Sequence, residues 1–185
     1  MIYIISGTSR SGKSLLAQSI MQEERIPYLS LDWLVMGFTN GVPEYGIHDK
    51  LWPNEIAEKL WPFLKAMLDN MIWSGTDYVI EGEAVLPELI YNYLKENATH
   101  IKICFLGYAY IDASEKLTET YAHSDQEKDW LINESKQYVK THIGNMIAYS
   151  QRIEKSCAKY GMQYFDVSMN FKETLECTKS FILQA

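Results

Sequence analysis

The chain has 185 residues, 47% of them apolar, which is enough to bury the core of one α/β domain. Its formal net charge is −7, and its three arginines are Arg10, Arg25 and Arg152. An acidic chain with so few arginines lacks the basic surface that nucleic-acid binding requires, so we expect its partners to be small anions held at focused sites.

The three cysteines are Cys104, Cys157 and Cys177, and their number and spacing fit neither a disulfide framework nor a zinc site. Cys104 lies in an apolar, strand-like run and is expected to be a buried thiol. The first strand-like segment begins at residue 2, which leaves no room for a signal peptide, and no apolar run reaches the roughly 18 residues of a membrane span. These features predict a cytoplasmic protein without membrane contact.

Residues 7–14 match the phosphate-binding loop pattern G-x-x-x-x-G-K-S. The motif follows an apolar, strand-like run at residues 2–5 and precedes a helix-like run at residues 15–21, which is the context that the pattern requires. We therefore predict that this loop binds a nucleoside triphosphate. Its candidate nucleotide-binding residues are Gly7, Thr8, Ser9, Arg10, Ser11, Gly12, Lys13 and Ser14.

Each residue type in the motif has a physical role. Gly7 and Gly12 allow the backbone to curl, so that its amides form an anion-binding nest at the positive end of the next helix. Lys13 can reach the β- and γ-phosphates, and the hydroxyl of Ser14 can bind Mg²⁺. The sequence thus predicts ATP and Mg²⁺ as ligands, with ATP taken as the default over GTP.

A first helix is predicted over residues 13–24, and Pro27 prevents it from continuing. Residues 28–32 read as a second strand that ends in Asp32. Ligands of open parallel sheets lie beyond the carboxyl ends of the strands, which puts Asp32 on the same edge as the phosphate loop. The alternative is that Asp32 is the N-cap of a helix that starts at Trp33.

Residues 37–53 read as a long loop rich in glycine, proline and aromatic side chains. Long loops in compact domains are often functional, so Tyr45 and His48 are candidate substrate contacts. The alternative is a loop that folds over the core on its own aromatic side chains. Residues 54–74 then have helical spacing, and Pro62 is expected to break or kink that helix.

A third strand, predicted over residues 77–83, ends in Glu81, Gly82 and Glu83. An acid at this edge of the sheet is where phosphate-loop enzymes hold Mg²⁺, so Glu81 is a candidate metal-side acid. Glu83 lies further along the edge and is a candidate substrate contact. The alternative is that both are solvated loop glutamates.

The remaining chain continues the alternation of helices and strands. Helices are predicted over residues 86–96, 127–160 and 171–183, and strands over residues 101–107 and 162–168. Capping-box patterns start at Asp112 and Ser124, Gly144 is a plausible bend, and His142 is expected to pack in the core. Five apolar strands that alternate with helices predict a parallel sheet with helices on both faces.

The motif near the N-terminus, with one acid after the second strand and an acid–glycine pair after the third, resembles the small P-loop kinases. That group includes adenylate, shikimate and gluconate kinases and chloramphenicol phosphotransferase. Residues 26–34 also resemble bacterial proteins loosely labelled 2-phosphoglycerate kinases. The resemblance implies one three-layer P-loop NTPase domain over residues 1–185 with a five-stranded sheet ordered 2-3-1-4-5. It also implies a substrate cap at residues 33–75 and a lid at residues 109–128.

On this resemblance, Asp32 matches the acid that positions or deprotonates an acceptor hydroxyl, and Glu81 matches the metal-side acid. Adenylate kinase lids carry several arginines, whereas residues 109–140 of this chain contain none. Arg152 is the arginine that could reach the nucleotide; alternatively, it pairs with Glu154 or a neighbouring helix. The missing lid arginines favour an uncharged or weakly charged acceptor, or slow chemistry, over a nucleoside monophosphate.

Together these residues predict an ATP-dependent kinase that transfers the γ-phosphoryl group to a hydroxyl or phosphate of a small molecule. Lys13, Asp32 and Arg152 are its candidate catalytic residues. The alternative is a non-catalytic or regulatory ATP-binding module. A GTPase switch is disfavoured because the chain has no Asn-Lys-x-Asp motif.

Overall fold

The computed structural model describes residues 1–123, 131 and 134–184. Five parallel strands form one sheet in the order β2-β3-β1-β4-β5, as the sequence predicts. The strands are β1 (Ile2–Gly7), β2 (Tyr28–Ser30), β3 (Tyr78–Glu81), β4 (Ile101–Gly107) and β5 (Tyr164–Asp166).

Helices connect the strands and cover both faces of the sheet, which is the three-layer arrangement predicted. A 3-10 turn at Pro43–Tyr45 follows the second helix. The α-helices are α1 (Lys13–Glu24), α2 (Leu31–Gly41), α3 (Pro53–Ser74), α4 (Pro87–Glu96), α5 (Ala113–Ala122), α6 (Lys136–Tyr160) and α7 (Phe171–Leu183).

The core has two layers because alternate residues of each strand point to opposite faces of the sheet. In β1, Ile2 and Ile4 belong to the layer covered by α2, α3 and α4, whereas Ile5 packs with α1 and α7. Cys104 is fully buried in this second layer, as predicted, and burial raises the pKa of its thiol. Cys157 is also buried, whereas Cys177 is exposed.

Two predicted boundaries are wrong, both around the second helix, and one expectation for the third helix is partly wrong. β2 ends at Ser30, so Asp32 lies in the first turn of α2 and is neither a strand end nor the N-cap, which is Ser30. Part of the predicted loop at residues 37–53 is helical, since α2 runs to Gly41 and the 3-10 turn follows. Pro62 does not break α3, which is helical for 22 residues because Leu60, Leu64 and other side chains anchor it in the core. A kink at Pro62, the other expected outcome, stays a prediction.

Further along the chain, α4, β4 and α7 agree closely with the predicted segments. Asp112 caps α5 as expected, by accepting a hydrogen bond from the Ser114 amide. α6 passes through Gly144 as one helix, and β5 is shorter than predicted. The predicted cap at Ser124 lies outside the described residues. Among residues 1–123, 131 and 134–184, no helix is long and apolar enough to cross a membrane.

Candidate functional site

The phosphate loop connects β1 to α1 and is held tightly against β4. The Thr8 amide donates to the Leu106 carbonyl at 2.9 Å, which draws the loop onto the neighbouring strand. Gly7 has a φ of 123°, and a Cβ there would lie 1.9 Å from that same carbonyl oxygen. Glycine is therefore required at position 7 by the close approach of β4 as well as by the curl of the loop.

Inside the loop, two side chains converge on one backbone oxygen. Lys13 is 6% exposed and donates from Nζ to the Thr8 carbonyl at 2.7 Å, and the Ser11 hydroxyl donates to the same carbonyl at 2.8 Å. α1 has no side-chain cap and no acid in its first turn, so its terminal amides remain available for an anion. The buried hydroxyl of Thr8 has no hydrogen-bond partner in the described part of the chain.

Two aromatic side chains that the motif does not include support the loop from outside. Tyr108, which follows β4 and is 1% exposed, donates its hydroxyl to the Ser9 carbonyl at 2.8 Å. The ring of Phe171, the first residue of α7, lies 2.9 Å from where a Cβ on Gly12 would be. Tyr108 could have been found from its position just beyond a strand at the carboxyl edge, whereas Phe171 carries no such sequence signal.

Ser14 and Glu81 meet at the edge of the sheet. The Ser14 hydroxyl donates to Glu81 Oε2 at 3.2 Å, and the Glu81 side chain is buried at the end of β3. A hydroxyl and a carboxylate are hard oxygen ligands of the kind that Mg²⁺ takes together with water and phosphate oxygens. The pair therefore fits a Mg²⁺ ion, although residues 1–123, 131 and 134–184 contain no cluster of three His, Cys, Asp or Glu side chains that could hold a metal alone.

Glu83 is half-buried just beyond the end of β3, near the phosphate loop. Burial raises the pKa of its carboxyl, the charge of Lys13 acts to lower it, the charge of Asp32 acts to raise it, and the hydroxyl and amide of Ser9 act to lower it. Glu83, Ser9, Lys13 and Asp32 are thus within electrostatic reach of one another at this end of the loop.

Asp32 approaches this group from α2. Its side chain is exposed at the start of the helix, where the positive end of the helix dipole favours an acid. The approach is close because Gly82, with a φ of 152°, faces Leu31, and a Cβ at position 82 would lie 2.7 Å from the Leu31 Cβ. β3 and α2 therefore bring the acids of two separate segments to the same edge.

Tyr45 and His48 lie in the insert between β2 and β3. The Tyr45 ring packs 5.7 Å from that of Phe38, which in turn packs 5.4 Å from that of Phe63. His48 is half-buried near the start of α3. Within the described residues, no hydrogen bond joins either side chain to the phosphate loop, so the aromatic packing foreseen as the alternative is present and substrate contact remains a prediction.

Arg152 forms an ion pair with a residue of another helix. Its guanidinium lies 3.3 Å from Glu88 Oε1 on α4, and the Ser156 hydroxyl donates to the second oxygen of that carboxylate at 2.7 Å. One turn earlier, Tyr149 has a buried hydroxyl without a hydrogen-bond partner in the described part of the chain. Burial raises the pKa of Tyr149, and the charges of Glu83 and Arg152 also act on it.

The segment predicted as a lid is anchored at its beginning. The Ala109 amide donates to Asp166 Oδ2 at 2.6 Å, and α5 packs against α6 through a small core that includes Leu117 and Val139. Lys116, which is buried on α5, lies 4.3 Å from the centre of the Tyr108 ring and pairs with Glu119. The end of the predicted lid, residues 124–128, lies outside the described residues.

Comparison with known proteins adds information at the level of the fold. No protein-family model matches the sequence, and no curated protein is recognisably similar to it. A shikimate kinase from Bacteroides thetaiotaomicron matches with a TM-score of 0.59 at 14% identity, over 100% of this chain and 99% of that one. A gluconokinase from Sinorhizobium meliloti 1021 matches with a TM-score of 0.53 at 15% identity, over 94% of this chain and 86% of that one.

A sugar kinase from Janibacter sp. HTCC2649 matches with a TM-score of 0.54 at 14% identity, over 98% of this chain and 95% of that one. Each of these likenesses spans nearly all of both chains, so the resemblance is one of the whole architecture and not of the phosphate loop alone. At such low identity a common fold does not fix a reaction. The chain therefore has the three-layer fold of the small P-loop kinases.

Proposed function

We propose that this protein is an ATP-dependent kinase that transfers the γ-phosphoryl group to a small-molecule acceptor. The observation that supports this most directly is the convergence of Lys13, the Ser14–Glu81 pair and two further acids at one end of the phosphate loop. A loop that only binds a nucleotide needs the first three side chains. Acids on the acceptor side are needed when a proton must leave an attacking hydroxyl.

In the proposed reaction, Lys13 leaves the Thr8 carbonyl and neutralises charge on the β- and γ-phosphates. Asp32 orients the acceptor hydroxyl and takes its proton. The acceptor oxygen forms a bond to the γ-phosphorus while the bond from that phosphorus to the bridging oxygen breaks, and ADP is released. Catalysis of this kind depends mainly on positioning and charge neutralisation.

Ser14 and Glu81 are the residues that would hold Mg²⁺, whose chemical contribution when bound is to neutralise phosphate charge. Tyr45, His48 and Glu83 are proposed contacts of the acceptor, and Arg152 is proposed to approach the phosphates after release from Glu88. Exchange of a solvent-exposed ion pair costs little free energy, because such pairs contribute only about 0–1 kcal/mol. We further propose a cytoplasmic location, which the free thiols support.

A non-catalytic ATP-binding module is the second candidate. The observation in its favour is that Arg152, the candidate catalytic arginine, is paired with Glu88 on another helix. A protein that only senses ATP would need the loop and the Ser14–Glu81 pair but no free arginine and no acceptor.

An incubation with Mg-ATP and a fractionated metabolite pool separates the two candidates. A kinase releases ADP in amounts equal to a newly phosphorylated metabolite, which mass spectrometry detects as a gain of one phosphoryl group. Lys13→Ala is the parallel control and should form no such product. Saturable ATP binding without any acceptor-dependent release of ADP would favour the binding module.

A further inference from the structure

Tyr108 holds one peptide group of the phosphate loop from the interior of the protein. Its hydroxyl donates to the Ser9 carbonyl at 2.8 Å, and its ring belongs to the core layer covered by α1 and α7, so this carbonyl oxygen points inward. The peptide bond between Ser9 and Arg10 is trans, and in a trans peptide the N–H points away from the C=O. The Arg10 amide is thus directed away from the core, toward the side on which the nest binds an anion.

This orientation of the peptide is strained at Arg10. The φ of Arg10 is 59°, in the left-handed region, where the side chain of any residue other than glycine crowds the backbone. A flip of the peptide between Ser9 and Arg10 would return Arg10 to negative φ and relieve the strain. The same flip would turn the Ser9 carbonyl oxygen toward the anion and withdraw the Arg10 amide from it. The Tyr108 hydroxyl opposes the flip, because it holds the carbonyl on the interior side.

Tyr108 is itself fixed by the elements around the loop. Its amide donates to the Ser150 hydroxyl of α6 at 2.7 Å, and a Cβ on the preceding Gly107 would lie 2.2 Å from that same oxygen. From α5, the ammonium of Lys116 lies 4.3 Å from the centre of the Tyr108 ring. Burial raises the pKa of Tyr108 well above its ordinary value, and the charge of Glu83 acts in the same direction. The phenol is therefore a fixed, protonated donor at neutral pH.

We infer that Tyr108 is a positioning residue of the nucleotide site, which keeps the Arg10 amide facing the phosphates by anchoring the Ser9 carbonyl. Without this hydroxyl, the flipped peptide becomes populated, and the loop binds an anion only from the fraction of molecules that have not flipped. The apparent affinity falls with that fraction, and it falls alike for every ligand that presents a polyphosphate. The inference rests on the proposed nucleotide-binding function.

Tyr108→Phe removes the hydroxyl and keeps the ring. Adenylyl imidodiphosphate, a non-hydrolysable triphosphate, and inorganic tripolyphosphate are titrated with Mg²⁺ into the wild type and this variant by calorimetry. We expect both probes to bind the variant roughly tenfold more weakly, the scale of one hydrogen bond. Tyr93→Phe is the matched control, because it deletes a tyrosine hydroxyl that donates to Asp69 at 2.7 Å in the other core layer. It should leave both affinities unchanged.

An NMR signal from the peptide itself separates a change of its orientation from general loosening of the loop. The step from Ser9 to Arg10 is the one Ser-Arg step in the chain, so carbon-13 in serine carbonyls and nitrogen-15 in arginine amides isolate a single signal. In the wild type, tripolyphosphate should move the Arg10 amide proton downfield, because that proton gains a hydrogen bond to phosphate. In unliganded Tyr108→Phe the signal should split or broaden, because two peptide orientations exchange.

Wild-type affinities in Tyr108→Phe, or a loss of affinity that Tyr93→Phe shares, would overturn the inference. Weaker binding by Tyr108→Phe with an unchanged Arg10 signal would also overturn it, because that result means general loosening. Should circular dichroism show that Tyr108→Phe does not fold, the wild type decides: an Arg10 amide proton that tripolyphosphate leaves unmoved overturns the inference, and a downfield shift supports it. Each of these outcomes leaves nucleotide binding by the wild type standing. If the wild type bound neither probe, the proposed function would fail and the inference with it.

Discussion

Lys13 is the side chain on which the proposed phosphoryl transfer depends most directly, because it is buried in the loop with its ammonium on a backbone carbonyl. We expect Lys13→Ala to lower turnover by about 100-fold or more, which corresponds to roughly 3 kcal/mol of lost transition-state stabilisation. Steady-state ADP release with the acceptor found in the metabolite screen measures the effect. Wild-type turnover in this variant would refute the assignment of the loop as the catalytic site.

Asp32 is the proposed base, and its exposed position on α2 means that its loss should leave the nucleotide site intact. We expect Asp32→Asn to lower kcat by about 100-fold, the usual contribution of general base catalysis, without a change in ATP affinity. Asp49→Asn, at another exposed acid of the insert, is the matched control. A kcat near that of the wild type would mean that Asp32 takes no proton.

Gly7 and Gly37 offer a paired test of the packing around the loop. Gly7→Ala puts a methyl group against the Leu106 carbonyl at an unfavourable φ, and we expect a loss of at least ~2 kcal/mol of unfolding free energy. Gly37→Ala meets nothing within 4 Å in α2 and should raise stability by about 0.5–1 kcal/mol. Urea unfolding curves measure both, and equal effects would mean that the approach of β4 does not constrain position 7.

Some residues of the candidate site could be predicted and others could not, for a physical reason. Gly7, Lys13 and Ser14 follow from a local pattern whose chemistry requires a fixed spacing, and Glu81 follows from its place at the end of a buried strand. The effect of the Lys13 charge on Glu83 depends on how two distant segments approach in space. No pattern among neighbouring residues in the sequence indicates such an approach.

At the scale of elements, strongly patterned segments were predictable and ambiguous apolar runs were not. β4 is an unbroken apolar run and agrees with the prediction residue for residue, as does α7. The run from Leu29 to Met36 is apolar at spacings that fit both a strand and a helix, and the helix begins at Leu31 because that side chain is fully buried there. The boundary between β2 and α2 is therefore set by tertiary packing, because the periodicity of the sequence fits both structures.

Pro62 provides a prediction about α3. Proline cannot donate the helical hydrogen bond to the carbonyl four residues earlier, so Pro62→Ala should stabilise the protein by about 1–2 kcal/mol after the entropy gained by the unfolded chain is subtracted. Pro53 lies in the first turn of the same helix, where a backbone amide has no helical hydrogen-bond partner. Pro53→Ala should therefore not increase the stability of the protein. Thermal unfolding of both variants is the measurement, and equal shifts would contradict the explanation.

At the scale of the whole molecule, the topology follows from five apolar strands that alternate with helices, because parallel strands joined by right-handed crossovers admit few arrangements. The pairing of Arg152 with Glu88 does not follow in this way. It depends on the relative rotation of α6 and α4, which the amphipathic pattern of each helix fixes only coarsely. The fold class could therefore be predicted from the sequence, whereas the partners of individual surface charges could not.

Ligand binding to the native state alone should stabilise the whole molecule. At an Mg-ATP concentration of about 100 times Kd, the gain is roughly 2.7 kcal/mol, which raises Tm by about 5–10 °C in a chain of this size. Chelation of Mg²⁺ should reduce this shift in Tm. Without the cation, the Glu81 carboxylate beside Ser14 lies close to the phosphates and repels them. A Tm that Mg-ATP does not change would contradict nucleotide binding.

The aromatic contacts of Phe38 with Tyr45 and Phe63 have a consequence for how this architecture can diversify. They hold the insert between β2 and β3 together by packing within the insert itself. The phosphate loop depends instead on Leu106, Tyr108 and Phe171, which lie in other elements. Substitutions on the surface of the insert can accumulate without loosening the loop. If the proposed function holds, the insert can acquire new acceptors in evolution while the phosphate loop is retained.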